Sequence, residues 1–128
     1  MGDYLMSLIK ANDLTNVTGG IPTVKSQQLI PTAWVNFNGT GTVAIRDSEN
    51  VSSITDEETG QFLVNFSTTM ANTNFCAVYS THQYVTWSGT TGNDVNITAT
   101  GFVQVVHREN GNKVDSNQHL VIVLGGQS

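Results

Sequence analysis

Between residues 33 and 67 apolar and polar side chains alternate with a period of two, run after run, and this period constrains the fold more than any other feature of the chain. Successive side chains of a strand point to opposite faces, so such runs make sheets with one face hidden and one face wet. Ala33, Val35 and Phe37 interleave with Trp34, Asn36 and Asn38. Asn38-Gly39 follows, a dipeptide in which both residues tolerate positive φ, and it predicts a tight hairpin. The next strand sets Val43 and Ile45 against Thr42, Ala44 and Arg46. A short extended piece over residues 51–55 leads to the polar turn Asp56-Glu57-Glu58-Thr59-Gly60. Phe62, Val64 and Phe66 then alternate with Gln61, Asn65 and Ser67. The whole reads as a β-meander.

The rest of the chain repeats the pattern. Residues 74–80 place Phe75, Ala77 and Tyr79 on one face, with the lone Cys76 read as a small buried thiol. Residues 82–88 hold Tyr84, Val85 and Trp87, and a Gly-Thr-Asn loop follows over 89–94. Residues 95–100 alternate again, Gly101 marks a bend or bulge, and 102–108 continue as a strand up to a second turn signal, Asn110-Gly111. Leu120-Val121-Ile122-Val123-Leu124 is apolar on both faces and is expected at the centre of a packed sheet. Turn signals spaced about 8–12 residues apart, with no helical periodicity after residue 32, predict an all-β fold: an antiparallel β-sandwich or jelly-roll-like knob over residues 32–128.

Residues 1–31 form a short N-terminal extension of another character. Leu5, Leu8, Ile9 and Leu14 crowd a leader too short to bury them by itself, so their expected destination is another part of the domain or a second copy of the chain. Thr18-Gly19-Gly20, Ile21-Pro22 and Ile30-Pro31 punctuate the connector that follows. No basic flank with an apolar core marks a signal peptide, and no apolar run approaches a membrane span.

Charge narrows the function classes. Only 12% of the 128 residues are charged, and the net charge is -5. The five basic residues are scattered, which disfavours nucleic acid as a partner and offers no basic face to a lipid surface. Hydroxyl and amide groups must supply most of the surface polarity.

The segment WVNFNGTGTVAIRDSENVSSITDEETGQFLVNFSTTM, residues 34–70, resembles one found in tail-fibre, appendage and related virion proteins of tailed bacteriophages, those of marine hosts above all. The likeness includes Asn38-Gly39-Thr40-Gly41 and Ile45-Arg46-Asp47-Ser48. It extends more loosely to residues 8–14 with Thr18-Gly19-Gly20, and to the closing Val121-Ile122-Val123-Leu124-Gly125. Over 81–118 it is only general. The resemblance implies a virion structural protein, a homotrimeric knob on the exterior of the phage particle that contacts other capsid or tail proteins. With no coiled coil, collagen repeat or β-helix repeat in view, a capsid decoration, head appendage or small tail-fibre component is expected rather than a full fibre. The alternative is a receptor-binding tail-fibre tip that recognises a host-surface glycan or protein. The family carries no catalytic residues, and none are assigned.

Each candidate site has a plainer rival. Residues 39–44 fit G-x-G-x-x-A, but a strand is expected where a dinucleotide fingerprint needs a helix. His82, His107 and His119 lack metal-pair spacing and read as isolated surface or edge-strand histidines. No G-x-S-x-G occurs, so no enzyme and no cofactor are expected. Asp56-Glu57-Glu58 reads as a solvated turn before a calcium loop. Tyr84, Trp87, Thr90 and Asn93 are the candidate recognition surface, through aromatic stacking and adaptable hydrogen bonds, against the reading of Tyr84 and Trp87 as core.

Overall fold

The computed structural model describes residues 30–82, 97–108 and 110–127, together with the backbone of 85–86. The leader and residues 83–84 and 87–96, and with them Leu5, Leu8, Ile9, Leu14, Tyr84, Trp87, Thr90 and Asn93, lie outside the described residues. What is described is a two-layer antiparallel sandwich, as the alternating pattern predicts. Its nine strands are β1 (Ala33–Asn38), β2 (Ala44–Glu49), β3 (Val51–Glu58), β4 (Gln61–Phe66), β5 (Phe75–Thr81), β6 (Val85–Thr86), β7 (Ile97–Thr98), β8 (Gly101–His107) and β9 (His119–Gly125). The first sheet runs β2-β1-β9-β5. The second runs β3-β4-β8-β6, with β7 also paired to β8.

The core lies between the layers. The first sheet contributes Ala33, Val35 and Phe37 from β1 with Val121 and Val123 from β9. The second contributes Val51, Phe62, Val64, Phe66 and Phe102, and Met70 from the crossover to β5 plugs one end. Phe102 sits at the hub of an aromatic cluster, with ring centroids 5.8 Å from Phe66, 5.9 Å from Phe75 and 5.6 Å from Tyr79. Edge-to-face and tilted contacts of this kind add to the area that the rings bury. Val43 and Ile45 pack half-buried against the core, on the face expected of them.

Several local expectations are corrected. Asn38-Gly39 does not make a two-residue hairpin, because neither residue takes positive φ and β2 begins only at Ala44. The Asn38 side chain builds a longer loop instead: Nδ2 donates to the Thr40 and Thr42 carbonyls at 2.7 and 3.1 Å, and Oδ1 accepts from the Thr40 hydroxyl at 2.9 Å. Gly39 is required for space, since a Cβ there would lie 2.5 Å from Nε2 of His119 and 2.7 Å from Cζ of Phe62. Asp56, Glu57 and Glu58 belong to β3, not to a turn. The turn is Thr59-Gly60, with Gly60 at φ 69°, and Glu58 takes an ion pair from Lys113.

One corner carries no turn dipeptide at all. The chain passes from the first sheet to the second through Asn50, which holds φ 55°. Asparagine tolerates this left-handed conformation better than most residues. Its amide donates to the Thr32 carbonyl at 3.1 Å and its side-chain oxygen accepts from the Thr68 amide at 2.8 Å, so it ties both layers at one point.

Candidate functional site

The described surface departs most from a sandwich's usual exterior on the outer face of the first sheet. The register places Trp34, Ile122 and Val78 side by side across β1, β9 and β5. The row on one side joins Asn36, Leu120 and Ser80, and the row on the other brings Leu124 beside Cys76. Val78 is 58%, Ile122 48% and Leu120 40% exposed. β9 is therefore central, as its apolar run predicts, but only one of its faces is covered. The strand buried on both faces is β8, where Phe102, Val103, Val105 and Val106 are all hidden. Cys76 is exposed on this same outer face, which corrects the expectation of a buried thiol. Across β1, Trp34 pairs with Glu49 and Asn36 with Asp47, so the apolar rows end at an acidic border on β2.

A second feature is a shallow polar cleft of about 250 Å³ lined by Arg46, His82, Asn117 and Gln118. The guanidinium of Arg46 is already engaged there. It donates to the Asn117 carbonyl at 2.6 Å, to Oδ1 of Asn36 at 3.3 Å and to the Phe37 carbonyl at 3.4 Å. It thereby fixes the segment leading into β9 against β2. Three of its five N–H donors are thus turned to the fold itself.

The third is His119, which the sequence places among isolated surface or edge histidines. It lies on the central strand with 0% exposure, on the inner face. Its ring stacks on Phe37 with centroids 4.3 Å apart and an 11° interplanar angle, and meets the edge of Phe62 at 4.8 Å. Neither ring nitrogen makes a hydrogen bond of good geometry, although the Ser116 backbone lies close to the ring, and both polar atoms of the buried Gln104 side chain are likewise without one. Burial lowers the imidazole to about 4, with the Ser116 backbone and Asp115 opposing in part. At neutral pH it is an uncharged aromatic filler. His82, by contrast, is exposed at the end of β5.

Residues 39–44 run through a loop into β2, so the glycines precede a strand and no helix N-terminus faces them. Among the described residues no group of three or more His, Cys, Asp or Glu side chains is placed to hold a metal ion. Among the described residues, fold and surface together define an all-β sandwich with a sheet face on which Val78, Leu120 and Ile122 stand exposed. Compared with protein-family models, with curated protein sequences and with solved structures, the chain gives no match.

Proposed function

We propose that the protein is a structural component of a tailed-bacteriophage particle, a homotrimeric β knob displayed on its exterior as a capsid decoration, head appendage or small tail-fibre component. The observation that carries this reading is the outer face of the first sheet, where Val78, Leu120 and Ile122 stand exposed on a sandwich whose core is otherwise closed. A protein that works by assembly keeps such a face for a neighbour, since contiguous apolar surface is otherwise a liability. The resemblance of residues 34–70 to phage virion proteins supplies the setting. Leu5, Leu8, Ile9 and Leu14 supply further apolar area, worth roughly 1.5–3 kcal/mol for each side chain fully buried before ordering costs.

The mass in solution tests the assembly. Light scattering should return three times the 13.8 kDa of one chain. Deleting residues 1–12 should leave a folded β domain that no longer enters particles. Truncated protein at normal copy number in purified virions defeats this reading, as does a monomer at micromolar concentration. The sequence over residues 84–93, with Tyr84, Trp87, Thr90 and Asn93, is the ground for a second reading as a receptor-binding tip. In that case purified protein labels host cells and excess protein blocks adsorption.

A further inference from the structure

We propose that the outer face of the first sheet is the seat of the apolar leader, residues 5–14, of a neighbouring copy, so that the assembly is held by exchanged leaders. The inference rests on the trimeric reading above and names the two surfaces that meet in it. The size of the face argues for a segment as its occupant. Its exposed aliphatic side chains are Val78, Ile122 and Leu120, on two neighbouring strands. A short apolar segment suits a patch of this extent, whereas a broad flat interface, which buries roughly 800 Å² per partner, would have to take in the polar Asn36 and Ser80 as well.

The leader fits by composition and by reach. Leu5, Leu8, Ile9 and Leu14 fall within ten residues and cannot cover one another. The chain from 15 to 30 joins the leader to β1, a strand of this same sheet. Extended, its sixteen residues span on the order of 50 Å, against about 15 Å for the width of a four-stranded sheet. A leader can thus leave its own domain and still lie fully across the next.

Cys76 makes the arrangement testable in the full-length protein. It is the chain's only cysteine, it is exposed, and it lies in the row next to Ile122 and Val78. Leu5→Cys, Leu8→Cys and Ile9→Cys are each to be oxidised with copper phenanthroline and resolved on non-reducing gels, with peptide mass mapping of the linked pair and mass in solution by light scattering. The expected result is a disulfide between the introduced thiol and Cys76 of another chain. It should give covalent dimers and trimers in at least one variant and none when Cys76→Ser is added. In the wild-type background, Ile122→Lys should keep the fold and weaken self-association at least tenfold. A link confined to one chain overturns the exchange. A trimer with no link in any of the three variants, and with Ile122→Lys still trimeric, overturns the leader as occupant while leaving the trimer standing. A monomer removes both this inference and the assembly on which it rests.

Discussion

Acid should unfold this protein through His119 before its carboxylates account for the loss. In the unfolded chain the imidazole titrates near 6.5, while in the fold, at 0% exposure, it titrates at about 4. Between these values the unfolded chain binds a proton that the folded core refuses. Stability therefore rises with pH in this window, is complete above about 6.5, and suffers no further loss from this group below about 4. Lowering the pH from 7.5 to 4.5 crosses most of the window and should remove about 2.5 kcal/mol through His119 alone, a large part of the usual stability of a domain. His119→Phe keeps the ring against Phe37 and Phe62, removes both unpartnered nitrogens and cannot charge. Its extra volume costs about 1–3 kcal/mol in a tight core, but that offset does not depend on pH. Urea denaturation of both proteins at pH 7.5, 6.0 and 4.5 separates the effects, because acid titration of the remaining groups is common to the two. The wild-type protein should lose about 2.5 kcal/mol more than the variant across the series. Parallel pH profiles would refute the assignment of His119 as a buried neutral ring.

Three further substitutions probe the frame. Gly60→Ala places a Cβ 2.6 Å from both the Val106 carbonyl oxygen and the Val114 amide nitrogen at φ 69°, and thermal melts should show a loss of about 2–3 kcal/mol. A loss below about 0.5 kcal/mol would contradict the geometry of that turn. Phe102→Ala empties the hub of the aromatic cluster and should cost about 3–5 kcal/mol in denaturant titration. Arg46→Met keeps the aliphatic stem and loses the bonds to Asn117, Asn36 and Phe37; a drop of about 1–2 kcal/mol is expected, together with faster amide exchange over residues 115–118.

Strand content and facing were legible wherever one side of a strand is wet. Val35 and Phe37, Phe62, Val64 and Phe66, and Phe75, Ala77 and Tyr79 all face inward as their alternation predicts. Local spacing reports the period directly, so no distant contact is needed to read it. Asn110-Gly111 marks a real turn for the same reason, with Gly111 at φ 82° closing a bond to the Arg108 carbonyl.

What covers each outer face is a different kind of fact. Leu120 to Leu124 and Phe102 to Val106 look alike as apolar strands, yet β8 is buried on both sides and β9 on one, because burial depends on which elements lie over a sheet and not on the strand's own composition. His119 and Cys76 exchanged their expected places on that account: one falls on the inner side of a central strand, the other on the uncovered side of an edge strand. The Asn50 corner and the Gly39 contact with His119 join residues far apart in the chain. Alternation alone established the sheets and their inward faces, since neighbouring side chains must point oppositely along any strand. The layer order, the register and the bare apolar rows of the first sheet came only from tertiary structure, because they depend on which distant strands lie next to one another.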